Sequence, residues 1–545
     1  MRPSLAPSAT LVVLFAACPD HEGEFDGVVA PVVVTYLPLG GEPIEQAFDP
    51  LGKYQSITIA ADDGGGARTF PGVYDGSSRL EFAGVPELTY VLRNQYPPYP
   101  TLAQVPGELY CRESSARELE DYASTYSGRP DPQRSSDLAT AIGLSVTGMQ
   151  PLAVDDSFEL YSYNVDALGT LAPTDPIDGF HAPHEGATSI VDWRVSWRPI
   201  STRPTWPLVD PGAGDDLWLT HLRARPLVAA PTGAELRDPW SFAQVSTLHE
   251  AAVLSLQPMK SGALTPASGS FAPAPRRSVH LDLRMSQFIA ALKDYAGVQV
   301  ATVCSVGVLL EPGLEHPIVG ITPLLGSLDV YSQYVPVDPM CPPDTCDFDL
   351  CGACDEEFVY PGDRAFDLEY GNPFPGGTEL VDVLCGVTTF AIDSKTGEDE
   401  RLFAYVEVTG RVADMTGQPI VPRIGPVRDL AVNGARVGPD DRRAGVGLTP
   451  TISFSAPSFG TPDFYRVIVY ILDDIADSDD RTYSKRARGS IDTEATTVQL
   501  PAGLLREGAN YYLRVEAQHG RKLGGANGYT HTSHAAAAIT GIITP

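Results

Sequence analysis

The residues with the clearest chemical potential are cysteines. Cys341, Cys346, Cys351 and Cys354 follow one another with spacing C-x4-C-x4-C-x2-C, and Cys111, Cys304 and Cys385 lie further away. Four thiolates can hold a tetrahedral zinc ion, but such sites separate two close pairs by a longer loop, and only Cys351 and Cys354 have the close spacing. Disulfide stapling is therefore the first reading for all seven cysteines, with a structural metal as competitor for the clustered four. Seven is odd, so either one thiol stays free or Cys18, the eighth, joins a bridge. Cys304 and Cys385 both sit in apolar strand-like sequence and could cross-link two sheets, but sequence alone does not set the pairing. The loop from Cys341 to Glu357 also holds Asp344, Asp347, Asp349, Asp355, Glu356 and Glu357. Hard cations take several carboxylates, so calcium is an option, but the EF-hand cadence is absent and a solvated acidic loop is the plainer reading. No metal ligand is assigned.

Other chemistry is weakly signalled. HAPHE groups His181, His184 and Glu185, but Pro183 spoils a helix that would aim two imidazoles at one ion. LHEAAV sets His249 beside Glu250 without the second histidine of a zinc-protease helix. There is no G-x-S-x-G nucleophile elbow and no phosphate-binding glycine loop. With 69 acidic residues, choosing two as a general acid and base would be arbitrary, so no catalytic residue and no cofactor is named.

The elements that position these groups follow from composition. A chain of 545 residues exceeds one core and divides into several domains. Its 51 glycines and 49 prolines punctuate many short apolar runs, the pattern of an all-β protein with frequent turns. The formal net charge of −31 repels phosphate backbones and anionic headgroups, which argues against nucleic-acid partners and polybasic membrane attachment. No apolar run after the amino-terminal leader is long enough to cross a bilayer.

That leader, LVVLFAAC from Leu11 to Cys18, is a short apolar run ending in small residues before a cysteine and followed at once by polar PDHEGEFDG. It resembles the lipobox of bacterial lipoproteins. The resemblance implies removal of residues 1–17, lipidation of Cys18, and a tether over 18–26. Pro19, in place of the Asp that favours inner-membrane retention, implies the outer membrane, with the protein periplasmic or surface-exposed. Simple secretion with cleavage near Ala17 is the alternative, and either route places the thiols in an oxidising compartment.

Residues 27–128 read as one β-sandwich module. VYDGSSRLEFAGVPELTYVLR, Val73 to Arg93, carries a DG turn (Asp75, Gly76), a strand with Leu80 and Phe82 on one face, the GVP turn (Gly84, Val85, Pro86) and a strand with Tyr90 and Leu92 on one face. It resembles the carboxypeptidase-regulatory-like, prealbumin-type modules of secreted proteins. Residues 137–425 are β-rich and too long for one small sandwich, so two are expected, with the Cys-rich loop 341–357 between strands. In SFELYSYNV both faces carry apolar or aromatic groups, predicting cover on both sides. SQFIAALKDYAG predicts one amphipathic helix, capped by Ser286, ended by Gly297, with Phe288, Leu292 and Tyr295 on one stripe.

Residues 426–545 contain LTPTISFSAP, FYRVIVYILDD and TVQLPAGLLREGANYYLRVEA, with Leu505 six before Tyr511, and Tyr511, Leu513, Val515 and Ala517 alternating. This resembles a fibronectin type III domain, with Phe454 standing near the position of that family's usual tryptophan. The resemblance implies a spacing or binding module. Its last hairpin loop, HGRKLGGANGYTH, offers Arg521, Lys522 and Tyr529 as a candidate binding surface for an acidic protein or a glycan.

The expected architecture is thus all-β, a multidomain string of antiparallel β-sandwiches with a fibronectin type III-like carboxy-terminal domain. The expected role is a non-enzymatic cell-envelope lipoprotein for surface binding or structural display, attached to the membrane by its lipid. An exported hydrolase with its catalytic domain in 137–425, and a calcium-dependent adhesin, are the alternatives. A deep pocket with convergent carboxylates or histidines in the middle region would favour the hydrolase.

Overall fold

The computed structural model describes residues 27–38, 42–62, 67–97, 109–117, 119, 124–130, 132–135, 140–165, 167–173, 182–199, 206–227, 240, 244–296, 302–311, 324–331, 362–374, 378–392, 399–473, 484–520 and 533–545. The fold is all-β and built from several, mostly antiparallel, sheets packed as sandwiches. Among the described residues no helix is long and apolar enough to cross a membrane.

The amino-terminal module closes around Val28, Ala30, Ile57, Ile59, Leu80, Phe82, Tyr90 and Leu92. Alternation supplies these residues: in Arg79–Ala83 and Tyr90–Gln95 every second side chain points inward, and the expected pairs Leu80/Phe82 and Tyr90/Leu92 are all fully buried. The turn between Val73–Tyr74 and Arg79–Ala83 is held by Asp75, whose carboxylate accepts from the backbone N–H of Ser77, Ser78 and Arg79 and from the Ser77 hydroxyl. Desolvation acts to raise the Asp75 pKa, but those donors together outweigh it and hold the group at about 2. Gly76 has φ +81°, the left-handed conformation that a DG turn needs at its second residue.

The middle region is layered. Ser157–Ser162, Leu217–Pro226 and Gln244–Leu256 pair antiparallel as neighbours, and this sheet is covered on both sides. Leu160, Leu217, Leu219 and Leu254 enter a core completed by Ile142, Leu144, Val195, Trp197 and Phe271. Tyr161, Leu222 and Leu248 enter the opposite core, shared with the carboxy-terminal strands. The two-sided pattern of SFELYSYNV thus reflects a strand sandwiched between two cores. The helix forms at Met285–Ala296, with Phe288 and Leu292 buried and Tyr295 packed at the edge of the core. Its capping differs from expectation. Ser286 lies inside the first turn, and its N–H and hydroxyl both donate to Asp363 Oδ1, a cap supplied from 77 residues away. Gly297 lies outside the described residues.

Cys304 and Cys385 form a disulfide. They face each other in register on the neighbouring antiparallel strands Thr302–Glu311 and Thr378–Ile392, so the bond ties two strands of one sheet and does not bridge two sheets as expected. It closes a span of 81 residues, which in the chain-entropy picture stabilises the fold by about 4 to 5 kcal/mol. Cys111 corrects another expectation: it is a free thiol, buried in the strand Leu109–Ser114, with no disulfide. Burial pushes its thiol pKa up to about 12, partly offset by Arg93, so it is un-ionised and inert at neutral pH.

The carboxy-terminal residues form two facing sheets. One has the order Ala435–Arg436, Arg428–Val432, Thr451–Ser455, Thr497–Gln499. The other runs Ser484–Thr493, Phe464–Asp473, Asn510–His519, Ser533–Ile539. Tyr511, Leu513, Val515 and Ala517 are all fully buried, and Leu505 packs in the same core. The Tyr511 hydroxyl accepts a 2.9 Å hydrogen bond from the backbone N–H of Arg506. Phe454 meets Tyr465 edge-on at 4.8 Å between ring centres.

The sandwiches are joined edge to edge. Leu109–Ser114 of the amino-terminal module pairs in parallel with Ser484–Thr493, matching Gly489 with Leu109. A Cβ at Gly489 would lie 1.8 Å from the Leu109 carbonyl oxygen, so only glycine permits this approach. Thr493 Oγ1 donates to Glu113, and Arg93 donates to the Ala502 carbonyl at 3.0 Å across the same seam. At the other edge, Asp399–Arg411 of the middle region pairs antiparallel with Ser533–Ile539, matching Val406 with Ala536.

Candidate functional site

Most candidate residues named from sequence fall outside the described residues: Cys18, Cys341, Cys346, Cys351, Cys354, His181, Arg521, Lys522 and Tyr529. His184 and Glu185 sit on an exposed turn, with Gly186 at φ +80°. Among the described residues no group of three or more His, Cys, Asp or Glu side chains is arranged to hold a metal.

Titratable groups do converge in the middle region, and of them the sequence singled out only Glu250 and its neighbour His249, without His221 or Asp156. His221 continues the inward row of Leu217 and Leu219, where an apolar residue would be ordinary. Strand register places Phe158, His221 and Glu250 side by side across three strands. The partner strand slips by one residue here, matching Glu250 with His221 and Leu248 with Leu222, so His249 is the extra residue of a β-bulge. The bulge keeps Glu250 inward while His249 meets Arg276, at 3.2 Å from Nδ1 to a guanidinium nitrogen. Burial first, then Arg223 and Arg276, keeps the His249 ring below the usual histidine range.

His221 is fully buried and both its ring nitrogens are engaged. Nδ1 is 2.8 Å from Glu250 Oε1, and Nε2 is 2.9 Å from Asp156 Oδ2. The same carboxylate oxygens accept from the loop backbone, Gln150 N to Glu250 Oε1 and Ala153 N to Asp156 Oδ2, each at 2.9 Å. Arg223 adds a longer contact to Asp156 and donates to the Pro151 carbonyl. Phe158, with its ring centre 5.0 Å from that of His221, and Phe271 at 6.1 Å form the apolar wall. Each ring nitrogen thus faces one carboxylate oxygen, and the imidazole bridges the two acids. A catalytic histidine needs one nitrogen free to take a proton from a nucleophile. Here that position is filled by Asp156, so the constellation is a clamp that fastens the 150–156 loop to the sheet.

A second buried polar set lies on the outer face of the carboxy-terminal sheet. Arg466 forms two parallel bonds to Asp492, and Glu516 accepts from the Tyr405 hydroxyl at 2.8 Å, from Arg514 and from Gln518. Arg514 also lies over the rings of Tyr405 and Tyr470, at 5.4 and 5.0 Å. Burial, then the Glu516 charge, holds the Tyr405 phenol well above its usual range, so it serves as a hydrogen-bond donor. At the end of the same sheet His534 is 3% exposed, and neither of its ring nitrogens has a hydrogen-bond partner. Burial, with Arg423 and His519 nearby, lowers its pKa to about 4 and leaves the ring neutral.

One cleft, of about 190 Å³, is lined by Tyr295, Arg428, Asp429, Arg436 and Ile539 where the helix meets the carboxy-terminal sandwich. It is remote in sequence from the His221 cluster and contains no nucleophile beside a base. No protein-family model matches the chain, and no curated protein matches it as a relative.

The clamp predicts a specific energetic pattern. His221→Leu leaves Asp156 and Glu250 buried without their partner, and should destabilise the protein by about 3 to 5 kcal/mol in urea unfolding. The variant that also carries Asp156→Asn and Glu250→Gln should recover a large part of that loss. A single-variant cost within about 1 kcal/mol of zero contradicts the clamp.

Glu159 gives a signed pH effect. Burial alone raises its carboxyl pKa from 4.5 to about 7. The folded chain then holds a proton that the unfolded chain releases, so stability is lost as pH rises from 4.5 through about 7. Glu159→Gln should remove this loss, gaining at most about 3 kcal/mol over the wild type at pH 8 and little at pH 4. Parallel stability curves for the two proteins would contradict it.

Proposed function

We propose that this chain is an exported, lipid-anchored β-sandwich protein of the cell envelope, used for surface binding or structural display and not for catalysis. The observation that carries this reading is the edge-to-edge strand pairing. Gly489 with Leu109, and Val406 with Ala536, make the carboxy-terminal sandwich continuous with the amino-terminal module and the middle region. Continuous ladders resist local opening, which suits a stalk or display platform more than an enzyme that must open around a substrate. The buried Cys304–Cys385 disulfide accords with an oxidising compartment.

Under this reading Cys18 bears the acyl chains and residues 18–26 form the tether to the outer membrane, with the sandwiches periplasmic or surface-exposed. The carboxy-terminal domain is of fibronectin type III type. Support comes from its two sheets of three-plus-one and four strands and from the Tyr511 hydroxyl bonded back to the Arg506 N–H, the corner such sandwiches use. The first module is of prealbumin type, supported by the Asp75 turn and the Leu80/Phe82 and Tyr90/Leu92 faces. A protein or glycan is the proposed partner, met through the Arg521, Lys522 and Tyr529 loop. Calcium at the 341–357 acidic loop is the adhesin version of the same reading. The hydrolase reading draws on Asp156, His221 and Glu250, the convergent group in 137–425, but both histidine nitrogens there are already engaged.

Metabolic labelling with a palmitate analogue, followed by fractionation, tests the anchor. The wild type should be labelled and membrane-bound, and Cys18→Ala unlabelled. An unlabelled wild type recovered from the cytosol with residues 1–17 intact contradicts the proposal.

A further inference from the structure

We propose that His519 and His534 form a binding site for an imidazole-preferring divalent transition metal, of the zinc, nickel or copper type, at the end of the carboxy-terminal sandwich. The two residues are directly opposite in the antiparallel pairing of Asn510–His519 with Ser533–Ile539, so both side chains project from one face of the sheet. Their ring centres are 5.9 Å apart, within reach of a single ion bound at the usual ~2.0–2.1 Å from one nitrogen of each ring.

Each ring is prepared in a different way. His519 Nδ1 lies 3.0 Å from the Thr461 carbonyl oxygen, which can only accept, so Nδ1 carries the proton and Nε2 keeps its lone pair. A backbone carbonyl fixing the tautomer in this manner is the usual support of a metal-ligating histidine. His534 is 3% exposed with no hydrogen-bond partner at either nitrogen, and its neighbour on the other side, Val408, is apolar. Buried polar atoms are almost always bonded, and a buried imidazole with both nitrogens unpartnered, opposite a second and oriented imidazole, leaves lone pairs that a ligand shared by both rings would satisfy.

The surroundings fit an ion that arrives from solvent. The His519 side chain is 37% exposed and opens a route to the surface. Asp463 Oδ2 is 3.9 Å from His519 Nδ1 and accepts from Gly520 N at 2.7 Å, which sets a carboxylate beside His519. Two imidazoles favour zinc, nickel or copper over calcium or magnesium, which take oxygen ligands. The described residues supply no third ligand, so the remaining positions go to water. A bound ion would tie Asn510–His519 to Ser533–Ile539 near where residues 423–425 pack, since Gly425 N bonds to the Phe459 carbonyl and the Arg423 carbonyl lies against Gly460.

The test uses the full chain, stripped of metal, with free thiols alkylated so that cysteines cannot compete. Copper(II) is added at less than one equivalent and read by electron paramagnetic resonance, and zinc by thermal shift. The wild type should give a copper spectrum with nitrogen couplings from two imidazoles, and zinc should raise its melting temperature. His519→Ala, a partly exposed change that leaves the core intact, should lose the two-nitrogen signature and the zinc shift. His534→Ala should do the same, whereas His184→Ala on its exposed turn should behave as the wild type. No binding by the wild type, or an unchanged signature in the His519→Ala variant, overturns the proposal.

Discussion

The rest of the structure depends on backbone hydrogen bonding between strands that are far apart in sequence. A sheet edge presents a row of unpaired N–H and C=O groups, and leaving them bare invites unwanted pairing. In the carboxy-terminal sandwich both edges of the larger sheet are taken up internally, one by Leu109–Ser114 and the other by Asp399–Arg411. Each bond contributes only about 0.5 to 1.5 kcal/mol net. Their combined effect is to fix register between segments far apart in the chain, as where Gly489 is matched with Leu109. Gly489 is the point where that constraint reaches back into the sequence, because any side chain there would meet the Leu109 carbonyl.

Covering both edges and both faces of the sheets forces polar groups inside. The molecule answers with paired charges: Arg466 with Asp492, Glu516 with Arg514 and Tyr405, and His221 between Asp156 and Glu250. Burying such groups rarely adds net stability over a well-packed apolar core, but breaking one member of a pair is costly. These clusters therefore act as register marks, and the one at His221 also anchors a loop. His534 has no such answer, and neither do the Thr140 and Ser162 hydroxyls or the Trp193 indole N–H.

Much of the fold was legible in local patterns. Alternation alone placed Leu80, Phe82, Tyr90, Leu92 and the Tyr511 to Ala517 row inward, since period two is an intrinsic property of a strand. The Phe288 and Leu292 stripe gave the helix for the same reason at period 3.6. What was not legible depended on register between distant strands. Ser286 looked like a cap because the true acceptor, Asp363, is far along the chain. Cys304 and Cys385 looked like an inter-sheet tie because nothing local says that their strands are neighbours. The His221 clamp needed three strands and a bulge, although a histidine in the inward row of LWLTHLRAR was a usable signal. Cys111 was misjudged because compartment favours disulfides in general, while burial in a strand isolates this particular thiol.

Hydrogen exchange read by mass spectrometry on the full chain tests the central claim most directly. If the modules share continuous ladders, peptides covering 109–114, 403–411, 484–493 and 533–539 should exchange as slowly as the core strand 510–519. Fast exchange in 109–114 and 403–411 beside a protected 510–519 would mean that the edges are open and the modules separate, and it would contradict the account.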